Sequence, residues 1–332
     1  MTKKEYLQYL SKGDYLHGKT LFVPILMHFI ARYAGGNYAR FASDYRFLVD
    51  ANLKALENFD VDMVGLISDP YRETSAFGAR IEFIPDGVPR CMDLVIKNSD
   101  DVRNLGRPDV YKCERTRDRI LGAELLSKRV NGEVPVFGWI EGPMAEACDL
   151  SGIEQFMIMT MMDADSANIL LDKCVLTAKD FAKAQIEAGC DIIGMGDAIC
   201  SQIDSQTYEI FVKERHREII HFIHANGALV KVHICGDISH LLPLMKDLQI
   251  DILDIDWQVD PQKTFEIMGP DVIRCGNLDP RFVLNKYPDE IFSECKLLCD
   301  NEKDRKFILS AGCEIIVNTP VDNLMAMRKA AI

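Results

Sequence analysis

The sequence predicts an α/β protein folded as a single (β/α)8 TIM barrel domain over residues 1–332. Three observations carry that prediction. Eight short apolar, β-branched runs recur along the chain, helical periodicity fills the stretches between them, and the runs end in polar residues where a barrel opens its active site. With 48% hydrophobic residues the chain buries the core of one large domain. An open doubly wound sheet would show a Gly-rich turn after its first strand, and His28-Phe29-Ile30-Ala31-Arg32 offers none.

The elements follow in chain order. A polar N-terminal helix over 1–18 precedes the first strand, 20–28 (TLFVPILMH), which ends at His28. Tyr45, Leu48, Leu53 and Leu56 recur near helical spacing over 44–58, and the second strand, 61–68 (VDMVGLIS), runs into Asp69. A long insertion, 70–133, follows. It opens with a predicted β-hairpin, Ala79–Ile84 and Met92–Ile96 around Asp86-Gly87, continues as charged helix, and is expected to form a lid over the mouth. The third strand is 134–142 (VPVFGWIEG) with Glu141 near its end, then helix 164–188, and strand 190–197 (CDIIGMGD) ending at Asp197. Helix 206–225 leads to strand 229–236 (LVKVHICG), which carries His233 and Cys235, and helix 239–248 to strand 250–257 (IDILDIDW). The last two strands are 271–279 (DVIRCGNLD), with Asn277 and Asp279, and 306–314 (KFILSAGCE), with Cys313.

His233 and Cys235 form half of a metal site, because side chains at i and i+2 share one face of a strand. Cys313, on the eighth strand, completes the set once the barrel brings strand ends to one mouth. One nitrogen and two sulfurs suit zinc, and three protein ligands leave a position for substrate. Glu141 has three readings: a fourth ligand that substrate displaces, a general acid or base, or a carboxylate at a helix N-terminus. Asp69 is the other candidate catalytic carboxylate. His28, Asp197, Asn277 and Asp279 are candidate substrate-binding positions, with capping as the alternative for the acidic ones. Asp69 or Asp197 would alternatively orient the ligand histidine, and Asp254 and Asp256 share the same ambiguity. Cys91, Cys113, Cys148, Cys174, Cys190, Cys200, Cys275, Cys295 and Cys299 read as packing residues, and the methionines of 157–162 as core filling or a soft pocket wall.

The net charge is −13 with Lys and Arg dispersed, which excludes a duplex nucleic acid partner. Eleven cysteines at irregular spacing point to a reducing cytoplasm, and neither a signal peptide nor a membrane span is expected. A small-molecule substrate or a docking protein is the expected partner, and the oligomeric state is left open.

These residues resemble the uroporphyrinogen decarboxylase superfamily over nearly the whole chain, and within it the zinc-dependent corrinoid methyltransferase branch. The His-x-Cys pair with a distant Cys matches His233, Cys235 and Cys313. Gly276-Asn277-Leu278-Asp279-Pro280 and Asn318-Thr319-Pro320, followed by Asn323-Leu324, support it. The decarboxylase itself carries an Arg-x-x-Gly-Arg-Tyr segment where this chain has Ala31-Arg32-Tyr33-Ala34-Gly35-Gly36, and a Gly-His pair where this chain has Gly312-Cys313. The resemblance implies a cytoplasmic enzyme of anaerobic one-carbon metabolism that uses Zn2+ and a corrinoid (cobalamin) held by a separate protein docking at the barrel mouth. Gly138–Ala147 looks like the O-demethylase type, so the expected reaction moves a methyl group from an aryl methyl ether, or similar O-methyl donor, to cobalt. Two alternatives stand beside it: a methyl-corrinoid:thiol transferase of the coenzyme M type, which the two thiolate ligands suit better, and a uroporphyrinogen-type decarboxylase. A noncatalytic barrel that only binds a partner is the third.

Overall fold

The computed structural model describes residues 1–12 and 20–331. All eight expected strands form: β1 (Leu21–Phe22), β2 (Val64–Gly65), β5 (Val136–Glu141), β6 (Ile192–Gly196), β7 (Leu229–His233), β8 (Ile252–Asp254), β9 (Ile273–Leu278) and β10 (Phe307–Ala311), with β3 (Ile81–Glu82) and β4 (Arg90–Cys91) making a separate hairpin. The eight are parallel, in the order β1-β10-β9-β8-β7-β6-β5-β2. Their continuous apolar runs reflect burial on both faces, the inner against the barrel core and the outer against helices.

The seam between β1 and β2 is closed by Asp62. Its backbone N–H donates to the Phe22 carbonyl at 2.9 Å and its carboxylate accepts from the Phe22 N–H at 2.8 Å. Tyr6 of helix Lys3–Lys12 and Arg328 of helix Val321–Ala330 donate to the same carboxylate, at 2.6 and 3.2 Å. Both chain ends are thereby tied to the foot of the barrel, the face that serves stability. Residues 13–18 of the expected N-terminal helix lie outside the described residues.

Several boundaries moved for physical reasons. β1 is short because Pro24 has no N–H for the ladder, and His28 opens helix His28–Tyr33 instead of ending the strand. Helix Tyr45–Phe59 runs one residue later than expected, capped by Asp44, which accepts from Arg46 N, and stopped by left-handed Asp60. The expected helix 206–225 is two helices, Ser205–Phe211 and Lys213–Ala225, and 239–248 shrinks to Leu242–Met245 plus a 3-10 turn. The hairpin exists, but its second arm pairs at Arg90–Cys91, with a last bond from Met92 N to Arg80 O, and not along 93–96. That later stretch is held elsewhere, since Ile96 N donates to Leu150 O in helix Pro143–Ser151.

The insertion reaches across the loops after β1 and β5: Ala39 N donates to Pro85 O on one side, and Gln155 Nε2 to Ile96 O on the other. Its last helix, Glu114–Val130, joins the outer helix layer, packed so closely that a Cβ on Gly122 would lie 3.3 Å from Leu66 and Tyr45. Among the described residues no helix is long and apolar enough to cross a membrane.

Candidate metal centre at the barrel mouth

Parallel register sets Glu141 beside Gly196, Gly196 beside His233, and His233 beside Asp254. Registered residues share a face, so these four form part of a ring at the top of the barrel interior. One layer lower stand Trp139, Gly194, Lys231 and Ile252.

The ladder stops at His233, earlier than the expected 236. Gly236 turns the chain there at φ +95°, with its N–H on Asp256 Oδ2 at 2.6 Å. Cys235 therefore lies just past the strand, yet its Sγ is 2.9 Å from His233 Nε2. Cys313 comes from 78 residues away and places its Sγ 3.2 Å from that of Cys235 and 4.0 Å from His233 Nε2. Gly312 is what permits this approach, because a Cβ there would sit 2.8 Å from the Asp256 carbonyl carbon.

The three ligand atoms fit zinc, whose tetrahedral edges in an N, S, S set are about 3.5–3.8 Å. The donor set supports the fit: two sulfurs 3.2 Å apart with a buried imidazole edge facing them. The hydrogen bond from Cys235 and the adjacent His233 hold the Cys313 thiol down, to about 4, while the same contact and burial push Cys235 up. Asp254 Oδ2 lies 3.2 Å from His233 Nδ1, which leaves Nε2 for the sulfurs. Burial would raise the Asp254 carboxyl, but Lys231 and His233 together outweigh burial and hold it at about 2. The partner that orients the histidine is therefore Asp254, and neither Asp69 nor Asp197, because only Asp254 is registered beside it.

Glu141 is not within reach of that triangle. Its Oε1 accepts from Arg72 Nη2 at 2.6 Å, its backbone N–H donates to Glu73 Oε1 at 2.9 Å, and burial raises its carboxyl well above the ordinary value against the pull of Arg72. Asp69 is ion-paired with Arg115 and accepts from Ser68 Oγ at 3.1 Å; burial would raise it, but Arg115 and Arg72 hold it low. Asp197 is fully buried, accepts from Ala145 N at 2.7 Å and lies 2.9 Å from His216 Nε2, whose other nitrogen is 3.0 Å from Tyr208 OH. Asp197, Cys200 and His216 are close enough together to hold a metal, but their hydrogen bonds already satisfy one another. Asn277 donates to Val259 O at 2.7 Å, and Asp279 caps helix Pro280–Asn285 and pairs with Arg281. Both line a cavity of about 620 Å³ with Trp257 and Phe282. His28 stacks on Tyr38 at 3.6 Å and bonds Glu314, next to Cys313, at 2.9 Å.

Sequence reasoning missed Lys231, Arg72, Glu73, Arg115, Glu146 and Asp149. Lys231 was legible, since it alternates with His233 and Cys235 on one strand face. The others lie in or against the insertion, where no periodicity marks a face.

A uroporphyrinogen decarboxylase (URO-D) family model matches residues 18–332. A methylcobamide:CoM methyltransferase MtaA of Methanosarcina barkeri is 27% identical over 223 residues, 66% of this chain and 64% of the relative, so the match spans less than two thirds of that protein. A uroporphyrinogen decarboxylase of Geobacter metallireducens is 25% identical over 286 residues, 84% of this chain and 82% of that one. In fold, the chain superposes on a methyltransferase from Methanosarcina mazei with a TM-score of 0.91 at 22% identity, covering 100% of this chain and 98% of the other.

Proposed function

The chain belongs to the uroporphyrinogen decarboxylase family, and from that premise we propose that it is a zinc-dependent methyltransferase working with a corrinoid held by a separate protein. The observation that carries this reading is the His233, Cys235 and Cys313 triangle at the open end of the barrel. Those three side chains would hold the metal, with Asp254 aiming His233 and Lys231 balancing Asp254. Zinc bound there supplies a Lewis acid with one exchangeable position for a donor atom of the substrate.

The substrate class that fits best is a thiol. Two thiolate ligands make the metal soft, which favours sulfur over oxygen. The Methanosarcina barkeri relative is named for transfer between a methylcobamide and CoM, which points the same way. In that reaction the thiol loses a proton, sulfur gains the methyl group, and the electron pair of the carbon–cobalt bond stays with the corrinoid. The O-methyl donor reading rests on the segment Gly138–Ala147. In the fold that segment is engaged internally: Gly142 abuts Asp197, Ala145 N donates to it, and Glu141 is held by Arg72. The partner protein would cover the mouth, with the insertion as one wall, and the eleven free cysteines suit a cytoplasmic setting.

The test is metal content and methylcobalamin demethylation, followed by the cobalt absorption spectrum, with a thiol as acceptor and with an aryl methyl ether as donor to reduced cobalamin. Near-stoichiometric zinc in wild type, lost with activity in Cys235→Ala and Cys313→Ala, is the expected result. A wild-type protein without metal after anaerobic purification returns the barrel to decarboxylation. Turnover with the ether and none with thiols overturns the thiol reading alone.

A further inference from the structure

Trp139 contributes an indole N–H that the fold leaves without a purpose. The side chain is 4% exposed and points into the barrel one layer below His233. β6 is cut away to receive it. A Cβ on Gly194 would run into the six-membered ring, and a Cβ on Gly196 would lie 3.2 Å from Nε1. The ring therefore climbs from its own layer across Gly194 and ends beside Gly196. Gly196 is the gap in the top ring between Glu141 and His233, and the indole edge with its N–H fills that gap. The ring centre stands 6.1 Å from that of His233 at 54°.

An indole N–H that no protein group accepts from is free to donate to a ligand entering the mouth. Among the described residues nothing accepts from Trp139 Nε1, and the carboxyl of Glu141, its neighbour in the top ring, is engaged by Arg72 Nη2 at 2.6 Å. The donor is thus held in place by two glycines and faces the floor of the mouth beside the metal triangle.

We propose that Trp139 is a substrate-binding residue whose Nε1–H donates a hydrogen bond to the sulfur of a thiolate substrate as it sits over His233. The proposal rests on the thiol reading above. The indole only donates, so it accepts no proton and favours the anionic sulfur over the neutral thiol or the thioether product. It would bind the acceptor before transfer and let go of the methylated product.

The experiment compares wild type with Trp139→Phe, which keeps a ring in the slot and removes the donor, using 2-mercaptoethanol as the thiol and free methylcobalamin as the methyl donor. The expected result is a KM for thiol raised about tenfold with kcat changed little, as for loss of a hydrogen bond to a charged acceptor. Zinc content and melting temperature should match wild type. Because the chain has two tryptophans, a Trp257→Phe background leaves Trp139 as the sole indole, and its emission should change on adding thiol to the zinc-loaded protein. Gly196→Ala, which crowds Nε1 while keeping the indole, should raise KM in the same way and serves if Trp139→Phe does not fold. An unchanged KM in both variants overturns the proposal, and so does loss of zinc in Trp139→Phe, which would make the ring a wedge for His233. Failure of the thiol reading looks different: zinc-loaded wild type would neither demethylate methylcobalamin with thiol nor change its emission.

Discussion

The two sides of the barrel mouth handle charge in opposite ways. On the β7 and β8 side, Asp254 stands in neighbouring register to Lys231 and His233 and takes one on each carboxylate oxygen, and His233 turns its other edge to Cys235 and Cys313. On the β2 and β5 side, Asp69, Glu73, Glu141, Glu146 and Asp149 crowd around Arg72 and Arg115, with Arg119 acting on Asp69 from behind. That surplus is met with protons: burial raises Glu73, Glu141 and Glu146, and pushes Asp149 up to about 8. On the proposed reading, one side would hold a metal, while burial on the other favours protonated carboxyls. Only the first was assembled by strand geometry.

The largest effect should come from removing the guanidinium that the proton-holding side shares. Arg72→Met leaves Glu141 and Glu73 buried without their countercharge, and is expected to cost about 3–5 kcal/mol in a urea unfolding curve. An unfolding midpoint within error of wild type would mean that these carboxyls are neutral without Arg72, and the contrast with the Lys231 and Asp254 pair would collapse.

Next comes the metal-holding side. Asp254→Asn keeps the shape but weakens the acceptor behind His233, so zinc affinity should fall about 10–100-fold in competition with a chelator. Arg72→Met, by contrast, should leave zinc affinity alone. Equal losses in the two variants would show that the sides act as one site.

A smaller effect is visible only as a slope with pH. Burial pushes the folded Asp149 carboxyl up to about 8, whereas the unfolded carboxyl titrates in the ordinary aspartate range. Between those values the folded state binds the extra proton, so stability falls as pH rises; below them the contribution is nil and above them it is constant. Asp149→Asn should therefore melt increasingly above wild type on going from pH 5 to pH 8.5. A gap that does not widen removes Asp149 from the proton-holding side.

The smallest expected change is Tyr208→Phe. It removes the hydroxyl beside His216 Nδ1 for about 1 kcal/mol and should leave zinc content untouched. Lost zinc would instead tie the buried Asp197 and His216 pair to the metal side, through the Asp197 N–H on the His233 carbonyl.

Much of the fold was legible, for identifiable reasons. Alternation over LVKVHICG put His233 and Cys235 on one face, while the close approach of Gly312 to Asp256 shows only in the structure. Helix and strand ends followed capping residues and prolines such as Asp44 and Pro24. The roles expected of Asp197, Asn277 and Asp279 were harder, because a carboxylate or amide at a strand end looks the same whether it meets a substrate or a helix N-terminus. Their observed partners are Ala145 N, Val259 O and Arg281.

By itself the sequence determined what is written within a few residues: eight strands with helices between them, and which side chains share a face. Tertiary structure alone decided that Cys313 meets Cys235 across 78 residues, that Asp254 is the residue behind His233, that Arg72 claims Glu141, and that Trp139 fills the place left by Gly196. Local periodicity comes from backbone sterics, which act between near neighbours. Partners in a barrel are chosen by the register of strands and by how an insertion folds back, which no short stretch of chain encodes.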